Sequence, residues 1–409
     1  MDNKALKRDI IDEINKYLGT DNIIVLHGAR QVGKSHILFY LQEQLKKDNQ
    51  KTFFFDLEDS RFTEILDSGV EAVLDFLKNE GFDLEKLQKD SQKLYVFIDE
   101  VQYLEKPSSL LKLLSDHHKY LQLIVSGSSS FNIKSKFSDS LVGRTVNFDI
   151  FNLSFAEFLR FKNKNTDLKK NLGTFHLQEI LKLYEEYGLY GGYPKIVLEN
   201  SVEKKEKYLQ QIIDTYIKKD IRDLADIKNI GKFNDLLKVL ASQSGNLLNV
   251  SALAKTCHLS QSTIENYLFI LENTYIIKLV RPWSSSAKVE IVKTPKIFFY
   301  DTGILELLWL KNLSKVFVGN IFETSVFSEL TKKYGAESLN FWRNKNQNEI
   351  DFVLLQKNKL LPIEVKKNFD SFKSDSMVFF HKKYKTDDYR IVSLLGEKKN
   401  EHYIYPWEL

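Results

Sequence analysis

The stretch that most restricts what this chain can fold into is residues 22–36, NIIVLHGARQVGKSH. An apolar strand, Ile23-Ile24-Val25-Leu26, runs straight into GxxxxGKS, and Ile37-Leu38-Phe39-Tyr40-Leu41 continues as a helix. Strand, glycine loop and helix in that order are the setting a phosphate-binding loop requires. Gly28 and Gly33 let the backbone curl so that its amides point at phosphate, and the helix N-terminus adds its positive dipole end. Gly28, Arg30, Gly33, Lys34 and Ser35 are therefore the candidate nucleotide-binding residues. Lys34 is expected to reach the β- and γ-phosphates and the Ser35 hydroxyl to hold magnesium, so ATP and Mg2+ are the expected cofactors.

A second apolar run, Leu94-Tyr95-Val96-Phe97-Ile98, ends in Asp99-Glu100. At the tip of a strand near the phosphate loop, Asp99 would hold the magnesium through water. Glu100 faces the opposite way and suits the polarisation of an attacking water. Glu58 and Asp59 are next in line for that role. A third run, Leu121-Gln122-Leu123-Ile124-Val125, ends in Ser126-Gly127-Ser128-Ser129-Ser130. Placed between the two phosphate strands, this tip brings a hydroxyl near the γ-phosphate. Ser128 is the first choice, with Ser126 and Ser129 behind it, and a helix or turn cap is the competing role. Residues 141–150 supply a last strand, and Arg144 there is a candidate to meet the γ-phosphate of a neighbouring subunit; a surface ion pair competes with that reading. Residues 5–18 form an amphipathic helix ahead of the first strand, and strands alternate with helices to about residue 152, as in a parallel α/β domain.

Composition excludes other classes. Apolar content of 43% with 28% charged residues is that of a globular protein, and a net charge of +4 permits a nucleic-acid partner without demanding one. The single cysteine, Cys257, excludes an intrachain disulfide and a thiolate-rich zinc site. No run of about 18 apolar residues occurs and Met1-Asp2-Asn3-Lys4 opens no apolar signal core, so a cytoplasmic protein with no membrane partner is expected.

These motifs carry a family resemblance. GARQVGKS, FIDEVQ, GSSS and LVGRTVNFDIFNLSFAEFL resemble the nucleotide domain of bacterial and archaeal AAA-type ATPases that are joined to the C-terminal domain of unknown function 4143. YGGYP, DTGIL, GNIFETSVFSEL, NEIDFVL and PIEVK extend the match over nearly the whole chain. The resemblance implies an extra strand between the two phosphate strands, a helical lid, a winged-helix-like segment and a nuclease-like C-terminal fold.

The residues beyond 152 have their own reading. Residues 153–235 are helical, broken at Tyr190-Gly191-Gly192-Tyr193-Pro194, with Lys218, Lys219 and Arg222 on a polar side. Helices over 233–242, 250–257 and 261–273, followed by a strand at 276–280, have helix-turn-helix spacing with a wing. The third of these helices lacks lysine and arginine over residues 261–267, which argues against base-specific reading and leaves phosphate contacts through Ser260, Gln261, Ser262, Lys278 and Arg281. Farther on, Glu323 lies on a helix, Asp351 enters one strand, and Glu364 and Lys366 sit two apart on the next, hence on one side of it. Carboxylates with a nearby lysine are the arrangement of magnesium-dependent restriction-type nucleases, with a second metal site at Asp351 and Glu364. A structural charge cluster is the competing reading.

The expected fold is α/β: a P-loop NTPase domain of AAA type over 1–152, a helical lid over 153–235, a winged-helix-like segment over 236–290 and a restriction-nuclease-like domain over 291–409. The expected function is ATP hydrolysis by a homo-oligomer, as a hexameric ring, coupled to sequence-nonspecific remodelling of duplex or branched DNA, with Holliday junction branch migration as the leading case. Lys366 and Lys367 join the basic residues above as phosphate contacts. A nucleotide-operated signalling switch that binds a protein partner and an ATP-gated metal-dependent nuclease are the alternatives.

Overall fold

In the computed structural model the described residues are 6–127, 141–164, 166–168, 173–220, 229–284, 294–313, 316–317, 319–344, 346–356 and 359–409. The chain divides into two compact units, Met1–Phe151 and Asn152–Leu409. Among the described residues no helix is long and apolar enough to cross a membrane.

Five strands of the first unit form one parallel sheet: β1 (Ile23–His27), β2 (Lys51–Asp56), β3 (Leu94–Asp99), β4 (Leu121–Gly127) and β5 (Thr145–Asp149), in the order β2-β3-β4-β1-β5. The mainly apolar strands β1, β3 and β4 are buried along their whole length at the centre, whereas β2 and β5 at the edges are part exposed. Each parallel step needs a crossover, and the helices supply it. Lys34–Lys47 turns Ile37, Leu38, Leu41 and Leu45 inward, and Pro107–His117 does the same with Leu110, Leu111 and Leu114. The expected extra strand is β4, which lies between β1 and β3. Pairing of His27 with Gly127 and of Asp56 with Asp99 brings the carboxyl ends of the strands to one edge, where open α/β sheets bind ligands.

The second unit begins with helices Phe155–Phe161, Thr174–Tyr190, Pro194–Leu198 and Val202–Ile212. Helices Ile230–Ser242, Val250–Thr256 and Gln261–Asn273 follow, and β6 (Ile277–Val280) then pairs antiparallel with β7 (Lys296–Phe299). After helices Thr302–Leu310 and Gly319–Tyr334 comes a second sheet: β8 (Leu339–Arg343), β9 (Glu349–Gln356), β10 (Lys359–Val365), β11 (Arg390–Val392) and β12 (Tyr403–Ile404). Its strands run antiparallel through β8, β9 and β10 and parallel through β10, β11 and β12, with helix Asp375–Tyr384 making the crossover.

The YGGYP and DTGIL motifs meet at one buried carboxylate. Asp301, 6% exposed, caps helix Thr302–Leu310 by accepting from the Ile304 amide at 2.9 Å. Its other oxygen accepts from the Gly192 amide at 2.9 Å and from Asn152 Nδ2. Gly191 has φ of 77°, and a Cβ there would lie 2.4 Å from the Asp301 carboxylate, so both the glycine and the acid are dictated by the same contact. Asp301→Ala removes a cap and leaves a buried amide without its acceptor. It is expected to lower the stability of this unit by about 2–4 kcal/mol. Urea denaturation followed by far-UV circular dichroism checks it, and an unchanged midpoint would show that the junction contributes nothing.

Candidate functional site

The loop between β1 and helix Lys34–Lys47 is built by close backbone approach. A Cβ at Gly28 would lie 2.2 Å from the Ile150 carbonyl, which only glycine avoids, and Gly33 has φ of 100° at the helix N-cap. Lys34 is 4% exposed, and its Nζ donates to the carbonyls of Gly28 at 3.0 Å and Ala29 at 2.7 Å. Burial lowers its pKa to about 8, although the charges of Glu100 and Asp99 pull the other way. The loop is also held from outside by Arg8, whose Nη1 donates to the Val32 carbonyl at 2.8 Å and Nη2 to the Phe151 carbonyl at 2.9 Å. Sequence reasoning passed over Arg8, because its partners are backbone carbonyls 24 and 143 residues away.

Asp99 ends β3 at the same sheet edge and is 5% exposed. Its carboxyl accepts from Ser126 Oγ, from the Glu100 amide at 3.1 Å and from the Ser35 hydroxyl. Burial raises its pKa, against the pull of the two serines. A hydroxyl and a carboxylate already touching, beside a lysine and a helix N-terminus, are hard oxygen donors of the kind that suits Mg2+ on a nucleotide. The loop thus fits a phosphate chain with its metal. Ser126, second choice from the sequence, is the serine that meets Asp99, while Ser128 lies outside the described residues.

Glu100 leaves the strand in a left-handed conformation, φ 59° and ψ 47°, which for a residue with a side chain costs on the order of 1–3 kcal/mol and recurs where function needs an unusual geometry. Its amide also donates to Ser126 Oγ at 3.3 Å. Gln102 Nε2 donates to Glu100 Oε2. Of the second-line bases, Asp59 caps helix Ser60–Asp67 and binds the Arg61 guanidinium, a structural post, and the Glu58 amide donates to Asp56 at 3.0 Å. Arg144 forms a forked pair with Asp116, Nε to Oδ1 at 2.7 Å and Nη2 to Oδ2 at 3.1 Å. The ion pair weighed from the sequence is therefore what this arginine makes within its own subunit.

In the second unit the nuclease-like residues do come together, with two that the sequence reading left out. Glu323, Glu349, Asp351 and Glu364 surround two ammonium groups. Lys296 Nζ lies 2.7 Å from Glu349, 3.2 Å from Glu323 and 3.9 Å from Asp351 with its side chain 4% exposed. Lys366 Nζ lies 2.5 Å from Glu364 and 3.8 Å from Asp351. Burial, reinforced by the Asp351 charge, raises Glu323 to about 7 and Glu364 to about 8 despite the lysines. The pair read as a second metal site, Asp351 and Glu364, thus faces lysines. Among the described residues no group of three or more His, Cys, Asp or Glu side chains is disposed to hold a metal ion.

The lysines assigned to phosphate need revision for the same reason. Lys278 pairs with Glu272 at 3.0 Å and Glu337 at 2.7 Å, with its side chain only 13% exposed, and Lys366 belongs to the acidic cluster. Arg281 and Lys367 are exposed. Arg222 and the side chains of Lys218 and Lys219 lie outside the described residues.

Residues 20–159 match the family model of an AAA domain, residues 318–407 that of the domain of unknown function 4143, and residues 181–315 that of a further domain of unknown function, 8612. An uncharacterized protein of Methanocaldococcus jannaschii is 29% identical over 365 residues, 88% of this chain and 77% of the relative. An uncharacterized protein of Haemophilus influenzae is 26% identical over 367 residues, 88% of this chain and 86% of the relative. A solved Walker-type ATPase of Pyrococcus abyssi resembles the chain at 15% identity with a TM-score of 0.48, covering 74% of this chain and 95% of that one.

Proposed function

We propose that this chain, which joins an AAA-type P-loop ATPase domain to the C-terminal domain of unknown function 4143, hydrolyses ATP with magnesium and uses the cycle to remodel DNA without reading its sequence. The observation that carries the first half is the meeting of Lys34, Ser35, Asp99 and Glu100 at the carboxyl edge of one parallel sheet. Lys34 moves from the loop carbonyls to the phosphates and carries the charge that binds them. Ser35, with Asp99 acting through water, would hold the Mg2+, which would supply charge neutralisation to the phosphate chain. Glu100 takes the proton of the attacking water, and Ser126 keeps the Asp99 carboxyl in place.

The DNA half rests on the helices Ile230–Ser242, Val250–Thr256 and Gln261–Asn273 followed by the β6–β7 pair, an arrangement with the spacing of a winged helix. Ser260 caps the third helix, with Gln261 and Ser262 exposed beside it, neutral groups able to contact phosphates, and no lysine or arginine over residues 261–267 to grip guanine. Branched DNA is the substrate proposed, because recognition without base contacts reads shape. A homo-oligomeric ring with Arg144 supplied across subunits requires the pair with Asp116 to open.

ATP turnover measured with no DNA, linear duplex and a four-way junction tests the coupling. The expected result is stimulation greatest with the junction, and weakening steeply between about 50 and 200 mM salt as phosphate contacts do. Turnover indifferent to every DNA replaces the motor with a switch that answers to a protein partner. That outcome has its own structural support in Lys278 and Lys366, whose charges are met within the unit.

A further inference from the structure

We infer that Gln102 is a positioning residue for ATP hydrolysis: its side-chain amide fixes the carboxylate of Glu100 toward the attacking water. This rests on Glu100 being the base. The inference starts from an unusual contact. In a continuing strand Glu100 and Gln102 would stand on one face roughly 6–7 Å apart, and in a helical turn of three residues they would point about 120° apart. Neither geometry by itself holds the two ends in contact. Here Glu100 adopts φ 59° and ψ 47°, the chain then turns as a single 3₁₀ turn over Val101–Tyr103, and Gln102 Nε2 donates to Glu100 Oε2.

The left-handed backbone is itself anchored. The Glu100 amide is shared between Asp99 Oδ1 at 3.1 Å and Ser126 Oγ at 3.3 Å, so the turn is tied to the residue proposed to hold the metal and to the tip of β4. Val101 and Leu104 on either side of Gln102 are buried in the core of the first unit, which fixes the turn from below, while Gln102 is half-buried and Tyr103 exposed. The Glu100 side chain is thereby held at both ends, its backbone by Asp99 and Ser126 and its carboxylate by Gln102. An ionised carboxylate has about four lone-pair sites. One donor on Oε2 restricts rotation and leaves Oε1 to accept a proton from water. Without that donor the carboxylate sweeps through its rotamers, and productive alignment becomes a small fraction of its time.

Gln102→Met and Gln102→Glu test this. Gln102→Met keeps the length of the side chain and donates no hydrogen bond, whereas Gln102→Glu replaces the donor by a second carboxylate that repels the Glu100 carboxylate or shares a proton with it. In the full chain with magnesium and saturating ATP, both are expected to lower kcat by about 10- to 100-fold, with KM for ATP and the Kd of a fluorescent ATP analogue within about twofold of wild type. A purely structural role would move nucleotide affinity together with kcat. Should Gln102→Met fail to fold, Gln102→Ala removes the donor at this half-buried site without adding bulk or charge and gives the same readout. A kcat at or above the wild-type value in a folded, ATP-binding variant overturns the inference. Glu100→Gln, assayed alongside, separates the two claims. Full turnover in Glu100→Gln removes the base itself, whereas a dead Glu100→Gln beside a fully active Gln102→Met removes only the positioning role.

Discussion

Glu100→Gln is expected to bind ATP as tightly as the wild type and to hydrolyse it about 10²- to 10⁴-fold more slowly, the usual contribution of a positioned general base. The amide keeps the size of the carboxylate, and the Glu100 backbone contacts to Asp99 and Ser126 do not involve the side chain, so the left-handed turn persists. What disappears is the group that accepts the proton. Lys34→Ala has the contrary signature. It removes the buried ammonium next to Gly28 and Ala29, so nucleotide affinity itself collapses and turnover goes with it. Filter binding of labelled ATP separates the two. Undiminished turnover in Glu100→Gln would transfer the base to another residue.

The part of the site legible in the sequence is the part made by local chain geometry. GxxxxGKS after an apolar run and a carboxylate at the end of another determine where Lys34, Ser35 and Asp99 stand once the sheet is parallel. The insertion of β4 between β1 and β3 was implied by the family resemblance, since an apolar run with a polar tip does not by itself fix strand order. Gln102 was not legible, since its contact with Glu100 is made across a left-handed turn, and no residue type signals that turn. Arg8 escaped because its partners are carbonyls, which carry no sequence identity. Lys296 escaped for a related reason. It opens β7 as an ordinary strand residue, and only the fold of the second unit brings it beneath acids on helix Gly319–Tyr334 and on β9.

Lys296→Met is expected to destabilise the second unit by about 3–5 kcal/mol, the range for removing one partner of a buried ion pair. The loss leaves Glu323, Glu349 and Asp351 facing one another without the ammonium between them. Combining it with Glu323→Gln is expected to restore part of the stability, since one fewer charge is stranded. The same cluster gives a pH dependence of definite sign. Glu323 and Glu364 titrate near 7 and 8 in the folded chain, above an ordinary carboxylate at 4.5. Between those values the folded state holds protons that the unfolded state has released. This contribution is complete below the ordinary value and is lost as pH rises through 7 and 8. The urea midpoint of the second unit is therefore expected to fall from about pH 5 to about pH 8, and Glu364→Gln to flatten part of that slope. A midpoint that rises over this interval would mean that both carboxyls are already ionised against their lysines.

The central claim, that the phosphate loop and the carboxylates at the end of β3 form one hydrolytic site, is tested most directly by steady-state phosphate release from ATP with magnesium, comparing the wild type with Lys34→Ala. The claim predicts saturable release by the wild type that requires magnesium and is abolished in Lys34→Ala. Equal release by both proteins, or none from a wild type shown to bind ATP and magnesium, would contradict it.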